Sequence, residues 1–272
     1  YSDGNVNRGT IWRMKDQKQI KAVALFSGGL DSILAVRLMQ QQEIEVYAFH
    51  VMTPFLSWRT PPEQILADTG LHVPFHVYEA GEDYVRMVKQ AEYGYGKNIN
   101  PCIDCRLFFI RKALDYMHSI GAHFLISGEV VGQRPMSQRQ NAMRFVEKRA
   151  DVQGLLLRPL SATVLPPTIP EEKGWVNRGQ LEGITGRNRK RQMELAEKFG
   201  IREYPTPGGG CGLTNERFAD KVRDAFDHGE DSLREMKLLQ YGRHIRLASG
   251  TKIVVGRNKD DNPCIEELAS PG

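Results

Sequence analysis

An apolar run that stops at a glycine pair constrains this 272-residue chain more than any other stretch. Val23-Ala24-Leu25-Phe26 reads as a strand. Ser27-Gly28-Gly29-Leu30-Asp31-Ser32 then turns directly into a helical pattern, with Leu30, Ile33, Leu34 and Leu38 on one face. Strand, turn and helix in that order put the turn at a helix N-terminus, where unpaired N–H groups and the dipole attract anions. Gly28 and Gly29 carry no Cβ, so the backbone can fold tightly against a ligand. Ser27 and Ser32 add hydroxyl donors. Asp31 repels phosphate unless a metal ion lies between them, so the turn reads as a pyrophosphate grip with an acid that handles Mg²⁺. A Walker A loop is excluded, because its G-x-x-x-x-G-K-[ST] spacing and its lysine are missing.

From Lys21 onward the chain alternates strand and helix. Strands are expected at Val23–Phe26, Val46–Val51, Phe75–Tyr78, His123–Ile126 and Leu155–Leu160. Helices are expected at Ser32–Gln42, Pro62–Thr69, Tyr84–Glu92, about Leu107–Ser119, about Arg187–Phe199 and Glu216–Phe226. Pro166, Pro167 and Pro170 mark an extended connection, Tyr204–Cys211 is a loop by composition, and His244–Leu247 with Lys252–Val255 reads as a hairpin. The fold class is therefore α/β, a doubly wound and mainly parallel sheet with a small α+β unit at the C-terminus. We divide the chain into an arm at 1–20, a main domain at 21–215 and the small unit at 216–272. Ligands of such sheets bind at the carboxyl ends of the strands, which gathers the Ser27–Ser32 turn, the turn after Val51 and Ser127-Gly128 at one edge. An apolar fraction of 40%, with no apolar stretch of membrane-spanning length and no signal-peptide pattern, makes a soluble cytoplasmic protein the expectation.

Four cysteines occur, Cys102, Cys105, Cys211 and Cys264. Cys102 and Cys105 form a C-x-x-C just before a helix, where the helix N-terminus and Arg106 are expected to favour thiolate. Cys211 follows three glycines about a hundred residues on. Three readings stay open: three thiolates on an iron–sulfur cluster with one iron free, a nucleophile and resolving pair at Cys105 and Cys211 that carries a persulfide, or half of a structural zinc site. Cys264 reads as a bystander.

The S-G-G-x-D-S turn resembles the PP-loop of the ATP pyrophosphatase superfamily, which shares an adenine nucleotide alpha hydrolase-like, Rossmann-like fold. Together with Asn100-Pro101-Cys102-Ile103-Asp104-Cys105-Arg106, and with Leu38-Met39-Gln40-Gln41-Gln42 in the first helix, it is similar to the tRNA thiouridylases. Cys105 corresponds to that family's catalytic cysteine and Cys211 to its distant second one, while Cys102 replaces the family's aspartate and adds a third thiol. Three such cysteines are similar to the thiolases that bind a [4Fe-4S] cluster. Ser127–Ser137 and Pro207–Thr214 also resemble segments of a thiouridylase-like subgroup. The stretch before Lys21 is short for the N-terminal RNA-binding domain of 4-thiouridine synthases, and that after Cys211 is short for the barrel of 2-thiouridylases.

The resemblance implies ATP-dependent sulfur insertion into a uridine carbonyl of tRNA. Its implied cofactors are ATP, Mg²⁺ and a [4Fe-4S] cluster on Cys102, Cys105 and Cys211; its sulfur donor is sulfide or a cysteine desulfurase, and a homodimer is compatible with it. His50 and Gly128 are expected to flank the nucleotide. RNA phosphates are expected at Arg187, Arg189, Lys190 and Arg191, with Arg139, Arg144, Lys148 and Arg149 assisting, and Tyr93 or Tyr95 could stack on an extruded base. A net charge of +4 is compatible with nucleic acid without demanding it.

Overall fold

Central strands buried on both faces should run apolar instead of alternating, as Ala22–Leu25 and Phe124–Ile126 do here. The computed structural model describes residues 19–55, 62–202, 204 and 211–269. In chain order the elements are β1 (Lys21–Leu25), α1 (Leu30–Gln40), β2 (Glu45–Met52), α2 (Pro62–Asp68), β3 (Phe75–Glu79), α3 (Glu82–Lys89) and α4 (Cys102–Ser119). Then follow β4 (Phe124–Ser127), α5 (Gln140–Arg149), β5 (Leu156–Leu157), α6 (Ile169–Glu172), α7 (Lys190–Lys198) and α8 (Glu216–Asp227). The chain closes with α9 (Leu233–Leu238), the hairpin β6 (Arg243–Arg246) and β7 (Lys252–Val255), and α10 (Asp261–Ala269).

The five-stranded sheet is parallel, in the order β3-β2-β1-β4-β5. The chain winds outward from β1 to β3, then returns to add β4 on the other side of β1. The crevice between the carboxyl ends of β1 and β4 is therefore the topological switch point, where such folds bind ligands. α1 buries Leu30, Ile33, Leu34 and Leu38 on one face of the sheet, sealed by Leu195 and Ala196 of α7. On the other face α4 buries Ile103, Leu107, Ile110, Ala113 and Met117. Val222 of α8 and Met236 of α9 belong to that same core. Ile20, ahead of β1, already packs against the core on the α1 side. Among the described residues no helix is long and apolar enough to cross a membrane.

The expected α/β sheet and C-terminal hairpin are present, with displaced boundaries. α4 begins at Cys102 instead of about Leu107, so the C-x-x-C occupies its first turn and does not precede it. The Pro166–Pro170 connection is not wholly extended: α6 makes one turn there, and the Thr168 N–H donates to the Glu171 carboxylate at 2.7 Å in the manner of a capping box. The strand expected over Leu155–Leu160 is paired only at Leu156 and Leu157, because Pro159 ends its ladder. The Arg187–Phe199 helix starts at Lys190, leaving Arg187 and Arg189 on the loop before it. Within the Tyr204–Cys211 loop, residues 205–210 lie outside the described residues.

Candidate nucleotide and thiol site

Gly28 sits at φ +75°, a conformation open to glycine at little cost, and Gly29 is the N-cap of α1 with no side chain capping the helix. The Ser32 hydroxyl donates to the Gly29 carbonyl at 2.7 Å and tightens the turn. His50 is buried, and its Nδ1 donates to the Phe26 carbonyl at 2.9 Å, fixing the residue from which the turn departs. Gly128, just past β4, is pressed against the same turn. A Cβ there would lie 2.4 Å from the Asp31 carbonyl carbon and 2.5 Å from both the Asp31 oxygen and the Ser32 nitrogen.

The Asp31 carboxylate has two partners. Gln133 donates through Nε2 to Oδ2 at 2.7 Å, and Arg189 donates to Oδ1 at 3.0 Å. Gln133 is steadied in turn by the fully buried Gln192, whose Nε2 donates to its Oε1 at 2.9 Å. Arg189, expected on RNA, thus lies at the Ser27–Ser32 turn.

The residue after Gly128 organises a buried ion cluster. Glu129 pairs with Arg158 at 2.9 Å and with Arg106 at 2.7 Å, and the Ser127 hydroxyl donates to it at 3.2 Å. Arg158 also pairs with Glu147. Burial alone would raise the Glu129 carboxyl, but the two guanidiniums outweigh it and hold the group at about 2. Since Arg106 follows Cys105 on α4, this cluster ties the thiol-bearing helix to the loop that touches the Ser27–Ser32 turn.

α4 returns antiparallel to the strands it connects, so its first turn lies at their carboxyl ends. Cys211 is brought there by the loop after β2, where the Gly212 N–H donates to the Phe55 carbonyl at 2.8 Å. Cys102, Cys105 and Cys211 stand near enough for their charges to act on one another. The expectation that Cys102 and Cys105 favour thiolate is not met. Burial raises all three, pushing Cys105 up to about 12, while Arg134 opposes the rise at Cys102 and Cys211. Arg106 lowers Cys105 only weakly, its guanidinium being drawn to Glu129. The Tyr84 hydroxyl lies 3.2 Å from Cys105 Sγ. Among the described residues no group of three or more His, Cys, Asp or Glu side chains is arranged to hold a metal ion. Cys264 lies apart on α10, against Tyr241.

The remaining basic residues divide sharply. Arg191 pairs with Glu182 at 2.8 Å and with Glu194 at 3.2 Å, and Arg149 pairs with Glu92 at 2.9 Å. Arg139, Arg144, Lys148, Arg187 and Lys190 are exposed and carry no ion pair among the described residues. Tyr93 packs edge-on against Phe145 at 5.0 Å and beneath Arg149. The Tyr95 hydroxyl donates to the Val88 and Lys89 carbonyls at 2.8 and 2.9 Å.

Sequence reasoning assigned no role to Gln133, Arg134, Glu129, Arg158 or Tyr84. One signal was visible. Glu129 comes two residues after an apolar strand, and Arg158 interrupts the apolar run Leu155–Leu160; a charge in either place needs a partner.

A doubly wound sheet carrying an S-G-G-x-D-S turn at its switch point defines a PP-loop protein of the Rossmann-like α/β class. More particularly, residues 17–163 match the ThiI family of thiamine biosynthesis proteins, and the chain belongs to that family. It is similar to an uncharacterized protein of Methanocaldococcus jannaschii, 27% identical over 50% of this chain and 51% of that one. It is also similar to the tRNA-specific 2-thiouridylase MnmA of Desulfosudis oleivorans, 28% identical over 43% of this chain and 34% of the relative. The matches thus span about half of one of these curated relatives and a third of the other. Among solved structures, a 4-thiouridine synthetase–RNA complex with bound ATP gives a TM-score of 0.46 at 18% identity, covering 81% of this chain and 52% of that one. A predicted tRNA methyltransferase subunit from Methanocaldococcus jannaschii gives 0.41 at 13% identity, covering 87% and 97%.

Proposed function

We propose that the protein is an ATP-dependent tRNA sulfurtransferase that adenylates a uridine carbonyl and replaces its oxygen with sulfur. The observation that carries this reading is the meeting of a phosphate turn and three thiols at one edge of the sheet. Gln133 on Asp31 and Arg106 on Glu129 link the two halves. The 2-thiouridylase relative supports the same chemistry.

A carbonyl oxygen is a poor leaving group, so it must first become an adenylate. The turn's N–H groups and Ser27 and Ser32 grip the outer phosphates while the uridine oxygen attacks the α-phosphate and pyrophosphate leaves. Asp31 would hold Mg²⁺, which neutralises phosphate charge when bound. Arg189, released from Asp31, is within reach of the same phosphates. Hydrosulfide, supplied as such or released by thiol reduction of a cysteine desulfurase's persulfide, then adds to the activated carbon, and AMP departs with the former carbonyl oxygen.

Three cysteine thiols are the donor set of a [4Fe-4S] cluster, and Cys102, Cys105 and Cys211, whose charges act on one another though they are not gathered as a metal site among the described residues, would hold it; when bound it supplies an iron open to a sulfur ligand. Burial pushes the Cys105 thiol up to about 12, which works against a free thiolate nucleophile; ligation must displace the same proton, so the Cys102→Ala variant is what separates a cluster from a persulfide relay. Anaerobic protein with ATP, sulfide and tRNA should yield thionucleosides by mass spectrometry together with pyrophosphate. Pyrophosphate released with a small-molecule acceptor, and none with RNA, would overturn the proposal.

A further inference from the structure

A concavity adjoins the Ser27–Ser32 turn through Arg189. It is a cleft of ≈ 580 Å³ beside the N-terminal half of α7, its wall formed in part by Asn188, Arg189, Lys190, Met193, Arg202 and Tyr204. The volume suits a nucleoside or nucleotide. Arg189 is the shared wall: the side chain that borders the cleft also reaches Asp31 at 3.0 Å, so whatever fills the cleft lies next to the outer phosphates' turn. Tyr204 is half-buried against the core, and Met193 is 58% exposed, a large apolar side chain left in water beside it. Lys190 and Arg202 are exposed at the rim and carry no ion pair among the described residues.

We infer that this cleft seats the acceptor nucleotide of RNA, unstacked from its neighbours, with the base against Tyr204 and Met193 and the flanking phosphates at Lys190 and Arg202. The inference rests on the proposed sulfurtransferase reading and adds to it where the RNA enters. An aromatic and a thioether offer a stacking surface, and unpaired cations at the rim offer phosphate contacts; the two together characterise sites for single-stranded nucleic acid. Glu194 and Glu197, also on the wall, repel phosphate from the interior and can accept hydrogen bonds from ribose hydroxyls. The seat also sorts the basic run before and into α7. Arg189 and Lys190 border the cleft, whereas Arg191 is turned to Glu182 and Glu194.

The test uses the full chain and an RNA stem-loop with 4-thiouridine in its loop, irradiated at 365 nm, as the probe. Cross-linked peptides should contain Met193 or Tyr204. Tyr204→Ala should weaken RNA binding by about 5- to 100-fold, as loss of one stacking contact does. Tyr204→Phe, which keeps the ring, should bind as the wild type does. The exposed change Lys190→Glu should weaken RNA binding and flatten its salt dependence. None of these variants should alter affinity for a fluorescent ATP analogue by more than about twofold, a small free-energy change. Cross-links elsewhere, or unchanged RNA affinity in both Tyr204→Ala and Lys190→Glu, would overturn the seat. So would loss of ATP affinity in their place, which would give the cleft to the nucleotide. If wild-type protein thiolates RNA while these variants behave normally, the seat alone fails. If it neither binds nor thiolates RNA, the functional reading fails and the seat with it.

Discussion

Gly128 and Asp31 touch backbone to backbone, so closely that a single added carbon on Gly128 would lie 2.5 Å from the Asp31 carbonyl oxygen. The atoms in the way are main chain, not the end of a flexible side chain. Gly128→Ala must therefore displace the phosphate turn from β4. It should lower stability by about 1–3 kcal/mol, as overpacking does, and weaken binding of a fluorescent ATP analogue at least tenfold. Full affinity in a folded variant would show that the turn does not grip phosphate.

Asp31 is held on both oxygens yet lies in a partly exposed turn, so its loss should spare the fold. For Asp31→Ala we expect an unchanged circular dichroism spectrum and a fall of roughly 10²–10³ in RNA-dependent pyrophosphate release, the scale of losing one organised electrostatic contact. Persistent release at the normal rate would remove the phosphate turn from the mechanism.

The cysteines separate the two sulfur-carrying schemes. Cys102→Ala should lose iron, sulfide and thionucleoside formation together while still releasing pyrophosphate, with Cys264→Ala as the active control. Full thiolation by anaerobically purified Cys102→Ala protein would favour the persulfide relay.

In metal-free protein the Cys105 thiol, pushed up to about 12, should resist alkylation. On the order of 10⁻⁴ of it is thiolate at pH 8, and its reaction with iodoacetamide should climb with pH well into the alkaline range. Peptide mapping at several pH values reads this directly. Rapid modification of Cys105 at pH 8 would contradict the burial that raises it.

Glu129 carries an acid-sensitive part of the stability. Its folded value, about 2, lies below that of an unfolded glutamate. Its contribution is therefore complete above the ordinary carboxylate range and is lost as pH falls toward 2. Glu129→Gln leaves Arg106 without its carboxylate and should cost about 3–5 kcal/mol at pH 7, the usual penalty for breaking a buried pair. Denaturant melts should also show a flatter pH dependence below pH 4.5 than the wild type. Equal slopes would mean that the cluster does not form.

The sheet was legible because its signals are local. Continuous apolar runs marked β1 and β4, and the glycine pair marked the turn between β1 and α1. The C-x-x-C was visible too, but not its chemistry. Thiol ionisation depends on burial supplied by distant segments, so a reading from Arg106 and the helix end gave the wrong direction. Likewise nothing adjacent in sequence to Arg189 announces Asp31, which lies 158 positions earlier. A run of basic residues looks uniform in one dimension; folding turns Arg189 to one carboxylate and Arg191 to two others.

The helices that follow Cys211 have a consequence for where this protein can be cut. The ThiI match ends at residue 163, and the fifth strand is complete by Leu157. Yet the buried residues of α4 lie in a core shared with Leu213, Val222 and Met236, and α1 is sealed by Leu195 and Ala196. Shared ancestry therefore stops short of autonomy. A fragment trimmed to the matched stretch would keep all five strands of the parallel sheet and the turn after β1 while losing β6, β7 and the residues that complete both cores. It would be expected to aggregate instead of serving as a portable nucleotide-binding module.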